Sequence, residues 1–186
     1  MVMLFSEKCG GSGRALLFLA WWGVVGNSGC APAGPVVDER FVARPELYAV
    51  AMAAEGASDA SRGRFREAEL NFRRALFIAP EADNVRHNLG RALLRGGDGE
   101  AAEIEYRYLL SKRPAGVFSQ ELAAALLLQE RYEEAREIYE LLYHWAVAQG
   151  DVSGQHDLAR ALADVFFRLG RGDEANCWSG KGASLG

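Results

Sequence analysis

Three cysteines and three histidines are the side chains of this 186-residue chain best suited to covalent or metal chemistry. Cys9, Cys30 and Cys177 form no C-x-x-C pair and have no histidine cluster beside them, so their spacing offers neither a zinc site nor a disulfide framework. His87, His144 and His156 lack carboxylate or cysteine partners at ligand spacing, and no metal or other cofactor is expected. Cleavage of a glycan would need two carboxylates across a pocket, for which Glu55, Asp59 and Glu121 are the only candidates. No nucleophile, base and oxyanion set accompanies them, so the chain is not expected to be an enzyme. What remains is recognition. His87, Arg91 and Arg95 recur at i, i+4 and i+8, one face of a helix, with Asn84 and Asn88 beside them; Arg160, Asp164 and Arg168 repeat that spacing further on.

Such lines need rigid helices to carry them, and the sequence supplies helices in a regular order. Gly56, Ala68, Phe72, Ala75 and Pro80 return 34 positions later as Gly90, Ala102, Tyr106, Leu109 and Pro114. After a one-residue contraction the frame continues through Ala123, Ala135, Tyr139 and Leu142, and after a six-residue insertion through Ala163 and Ala175. A period of this length marks stacked helical hairpins. Pro45 suits a first helical position, Gly63 and Gly96-Gly97 suit hairpin turns, and Pro80 and Pro114 end helices. Asp83 is the expected N-cap of the third helix. Glycine and alanine at the matching offsets let helices approach, while Phe72, Tyr106 and Tyr139 fill the space between hairpins. Tyr143 and Trp145 follow the same helical spacing and are assigned to the core.

These residues resemble the tetratricopeptide repeat, which asks for small residues, an aromatic and a proline at the offsets that Gly56, Ala68, Phe72 and Pro80 occupy. The resemblance covers residues 45 to about 180 and implies an all-α, right-handed superhelical solenoid of about four helix-turn-helix repeats: 49–82, 83–116, about 116–149, and a truncated 156–186. It also implies that the first helix of each hairpin lines a concave groove. On that basis Asn84, His87, Asn88, Arg91 and Arg95, then Gln120, Ala124 and Leu128, then Arg160, Asp164 and Arg168 are candidates to hold an extended segment of a protein or peptide partner. Arg91 and Arg160 would meet carboxylates and Asn88 a backbone amide. The plainer alternative is a solvated helix face. The clamp for a chaperone tail found in some family members is not reproduced, since Ala53, Ala57, Val117 and Glu121 occupy four of its five polar positions.

The start of the chain is different. Lys8 and Arg14 precede an apolar run of 11 residues, Ala15 to Val25, the order of a secretory signal and too short to span a bilayer, which takes about 20 residues. Gly26-Asn27-Ser28-Gly29-Cys30 resembles a bacterial lipobox, with Asn27 where an aliphatic residue is usual. That resemblance implies removal of residues 1–29, acylation of Cys30 and, because Ala31 rather than Asp follows it, sorting to the periplasmic face of the outer membrane. Residues 30–44 then form a tether before the repeat domain at 45–186. The alternative is cleavage after Ala33, leaving a soluble periplasmic protein.

Composition sets further bounds. With 49% apolar and 25% charged residues the chain can bury one substantial core, and its charged content argues against a membrane-spanning bundle. A net charge of -4 gives no basic footprint for nucleic acid. Gly150 to Gly154 is expected to be a loop, and the last helix to run from Asp173 to about Ser179. That would leave Phe166, Phe167 and Trp178 as an uncovered docking or dimer face, unless the tail folds over it, with Cys177 buried near Trp178 rather than free for an intermolecular bridge. The function expected is a non-enzymatic scaffold: an outer-membrane-anchored lipoprotein assisting assembly of a pilus or secretion system. The alternatives are a soluble, self-associating structural protein and a recruiter of cell-wall hydrolases.

Overall fold

A computed structural model describes residues 44–183; Cys30, the proposed signal and the tether lie outside the described residues. Eight helices follow one another: α1 (Pro45–Ser61), α2 (Phe65–Ile78), α3 (Asp83–Gly96), α4 (Gly99–Lys112), α5 (Gly116–Leu128), α6 (Tyr132–Gln149), α7 (Val152–Arg168) and α8 (Gly172–Ala183). Each packs chiefly on its neighbours in sequence, with a further layer of contact from α1 to α3 and from α3 to α5. The described residues are therefore an all-α solenoid of four hairpins, in which α1, α3 and α5 line one side, as the 34-residue period predicts.

Turns occur where the chain must enter the left-handed region. Inside the four hairpins this happens at Gly63 (φ 76°), Gly97 (φ 86°), Glu130 (φ 60°) and Gly170 (φ 73°). The third hairpin thus places a glutamate in the conformation its three counterparts give to glycine, with the strain that a Cβ adds there. Asp98 caps α4 by accepting from the Ala101 amide at 3.0 Å. Asp83 does not cap α3: Ala82 holds the cap position and Asp83 is in the first turn.

The core repeats with the sequence. Phe72, Tyr106 and Tyr139 are buried, each among small neighbours that include Ala68, Ala102 and Ala135. A Cβ at Gly56 would come within 2.9 Å of the Phe72 ring, and one at Gly90 within 2.7 Å of Tyr106 Cζ. Both glycines are therefore required by contact between helices rather than by turn geometry.

Further expectations need correction. The loop at 150–154 is only the two-residue turn Gly150-Asp151, because Asp151 accepts from the Gly154 amide at 2.9 Å and starts α7 at Val152, earlier than His156. The inserted residues instead lengthen α6 and α7 to 18 and 17 residues, against 13 or 14 in α2 to α5. The last helix is longer than expected, reaching Ala183. Trp145 is exposed rather than in the core, whereas Tyr143 packs against it in part. Among the described residues no helix is long and apolar enough to cross a membrane.

Candidate functional site

Between α1 and α3 lies a depression of about 260 Å³. Ala57 and Ala60 of α1 and Ala92 of α3 line it with small side chains, and Asn88, Arg91 and Arg95 line it from α3. Asn84 is exposed one turn before Asn88 on the same helix. The structure therefore brings together the α3 residues that the sequence singled out, except one. His87 turns inward, its Nε2 2.7 Å from Glu121 Oε2 of α5 and its ring edge-on to Phe118 at 5.2 Å and to Tyr106 at 6.3 Å between centroids. It joins two repeats and is not a groove-lining donor.

Glu121 also lies 3.8 Å from Arg91 Nε, so one carboxylate serves both side chains. Arg91 still has a side chain 57% exposed, which leaves its guanidinium able to take a further acceptor. Arg95 lies over the Phe65 ring, 4.9 Å from its centroid. Burial first, and then the Glu121 carboxylate, push the Tyr106 hydroxyl well above the ordinary phenol range, so this fully buried group stays neutral beneath the groove.

The other two lines fare differently. On α5, Gln120 and Leu128 are exposed and Ala124 is half-buried, and the helix packs against α3, so this line extends the same side of the array. On α7, Arg160 pairs with Asp157 at 3.2 Å and Arg168 with Asp164 at 2.8 Å, both within the helix. These intrahelical pairs offset the basic character assigned to α7, and its main contacts are with α6 and α8 rather than α5. α7 makes less contact with α5 than α3 does. Burial, followed by the Asp164 charge, pushes the Tyr139 hydroxyl up to about 12.

The C-terminal face is also corrected. Phe166 is buried at 4% exposure, because Trp178 of α8 stacks on it with centroids 6.5 Å apart and planes 12° from parallel. Trp178 in turn meets the edge of Tyr143 at 4.9 Å, so the terminal helix closes the core. Only Phe167 stays exposed among the three residues assigned to this face. Cys177 is exposed, not buried.

Two of the three acidic candidates for catalysis, Asp59 and Glu121, have structural partners. Asp59 is buried, accepts from Asn71 Nδ2 at 3.0 Å and pairs with Arg64, which satisfies its buried carboxylate. Glu121 is committed to His87, and Glu55 is exposed. Among the described residues no cluster of three or more metal-ligating side chains occurs. Sequence reasoning missed the His87 and Glu121 pair, for which the signal was a separation of about one repeat between two polar residues on successive first helices.

Solved structures similar to this chain include MamA AMB-1, at 18% identity and a TM-score of 0.52 over 75% of this chain and 99% of that one. They also include pilF of Pseudomonas aeruginosa, at 18% identity and a TM-score of 0.43 over 75% of this chain and 77% of that one. No family model matches the chain, and no curated protein does. At this identity the likeness to MamA speaks for the fold alone, and that fold is the tetratricopeptide-type helical solenoid that the packing of α1 to α8 already displays.

Proposed function

We propose that this protein is a non-enzymatic scaffold that holds an extended segment of a partner protein against α1, α3 and α5. One observation carries the reading. A floor of alanines is edged by the exposed Asn88, Arg91 and Arg95, which suits a backbone lying flat with acceptors toward the arginines. The binding segment is therefore acidic or ends in a carboxylate. The proposed place of action is the periplasmic face of the outer membrane, through lipid on Cys30, and the proposed role is assembly of an envelope machine such as a pilus or secretion system. The lipobox-like Gly26-Asn27-Ser28-Gly29-Cys30 and the preceding apolar run support that place.

Two experiments test the two parts. Arg91→Glu with Arg95→Glu is expected to abolish co-purification of the partner while the helical circular dichroism spectrum is unchanged; a partner retained at wild-type level would place binding elsewhere. Radiolabelled palmitate is expected to enter the wild type and not Cys30→Ser. Wild type left unlabelled in a host that acylates other lipoproteins would remove the anchor.

A further inference from the structure

Glu121 of α5 interacts with two side chains of α3 at once. Its Oε2 lies 2.7 Å from His87 Nε2, and its Oε1 lies 3.8 Å from Arg91 Nε. The His87 and Glu121 side chains are mostly buried, whereas that of Arg91 is exposed at the edge of the groove. One anion is thus divided between a cation at the groove and an imidazole behind it that can become a cation. At 3.8 Å Arg91 is beyond hydrogen-bond distance of Glu121, so the two attract through charge alone. A partner's carboxylate has to compete with that attraction.

The other charges near His87 are accounted for. On α3 itself, Asp83 precedes it by one turn, and Arg86 pairs with Glu105 of α4 at 2.7 Å. From α4, Tyr106 meets the imidazole edge-on, and its buried hydroxyl stays neutral. Arg113 lies over the ring of Phe118, the residue of α5 that packs on the imidazole. On α1, Asp59 pairs with Arg64, and Glu46 and Glu55 are exposed. On α2, Glu69 pairs with Arg73, and Arg66, Glu67 and Arg74 are exposed. Among the described residues Glu121 is the ion-pair partner of His87, and no charge of α1 or α2 bonds to it.

We propose, resting on the groove as the site of an acidic segment, that His87 and Glu121 are positioning residues for it: protonation of His87 neutralises Glu121 from behind and releases Arg91 to the partner's carboxylate. With a neutral imidazole, Arg91 and Glu121 cancel. With an imidazolium, the three side chains carry one net positive charge. Histidine is the side chain that changes charge between about pH 5 and pH 8, a range in which the partner's carboxylates stay ionised. The acidic segment therefore binds more tightly as pH falls, and by reciprocity its binding draws protons onto the protein.

Isothermal titration calorimetry of the full chain in one mild detergent tests this, with an acetylated and amidated peptide of alternating aspartate and alanine at low salt. Wild type is expected to bind about fivefold more tightly at about pH 5.5 than at about pH 8, the effect of one unit charge added beside a partly exposed ion pair. Titrations in two buffers of different ionisation enthalpy are expected to show proton uptake in between. His87→Gln keeps a donor for Glu121, so it should bind as wild type does at the alkaline end, with neither tightening nor uptake. Glu121→Gln should bind more tightly than wild type there, because Arg91 has no rival anion. Both changes conserve shape, and both variants keep the wild-type circular dichroism. A wild-type affinity that ignores pH would overturn the proposal and leave the groove standing. A response that survives in His87→Gln would assign it to His144 or His156 and overturn the proposal equally. A peptide bound at no pH would overturn both the proposal and the groove.

Discussion

His87 and Glu121 bridge successive repeats: the imidazole Nε2 lies 2.7 Å from the carboxylate of a residue 34 positions away. Both side chains are mostly buried, at 26% and 20% exposure, and the same carboxylate reaches Arg91 at the groove. A residue that joins two repeats therefore also sets the charge available to a ligand.

A double-mutant cycle on His87→Ala and Glu121→Ala should show a coupling of about 0.5–3 kcal/mol in urea unfolding at neutral pH. Additive single effects would mean that the contact contributes nothing to the stacking of the second and third hairpins.

Gly90→Ala should destabilise the array by about 1–3 kcal/mol through overpacking, although alanine favours a helix over glycine by about 1 kcal/mol. The new Cβ would stand 2.7 Å from Tyr106 Cζ, and that ring is fully buried and has nowhere to move. Tyr106→Leu in the same chain should recover part of the loss. Thermal melts of the wild type and the two variants decide it, and a Gly90→Ala protein as stable as wild type would show that the ring shifts freely.

Glu130→Gly should stabilise the protein by about 0.4–1 kcal/mol, because the native φ of 60° strains a side-chain-bearing residue and not glycine. Relief of that strain outweighs the extra freedom glycine brings to the unfolded chain. The midpoint of urea unfolding should rise with an unchanged slope; a lower midpoint would mean the glutamate side chain stabilises the turn by more than its strain costs.

Glu103 should make stability depend on acidity. Burial raises its pKa, but hydrogen bonds from Gln129, Arg107 and Arg131 outweigh that and hold its carboxyl below the ordinary carboxylate range. A carboxyl harder to protonate when folded stabilises the fold above its unfolded pKa, and that contribution is lost as pH falls through the lowered folded value. Glu103→Gln should therefore be less stable than wild type near neutrality by about 1–3 kcal/mol. The gap should close on acidification, measured by urea unfolding at a series of pH values. A gap of constant size would assign the loss to packing instead.

The repeat frame was legible because it is carried by side chains whose bulk decides packing. Gly56 and Gly90 lie against Phe72 and Tyr106 as their shared offset implies, and the hairpin turns at Gly63 and Gly97 follow from a conformation that few other residues accept. The boundary at Val152 was not legible, since Asp151 has turn chemistry and cap chemistry at once, and only the Gly154 amide that it accepts from selects the cap. Phe166 and Phe167 are neighbours of one residue type, and periodicity grouped them. Their opposite burial depends on where Trp178 arrives from α8.

The sequence by itself determined the solenoid, its four hairpins, and the α3 line of Asn84, Asn88, Arg91 and Arg95, because a helix fixes which residues share a face. Only the tertiary structure decided which faces are free. It withdrew His87 from the groove by supplying Glu121 from another repeat, paired Arg160 and Arg168 within α7, and closed the C-terminal face with Trp178. The physical reason is that exposure and charge pairing depend on side chains that arrive from other helices, and no single helix carries that information.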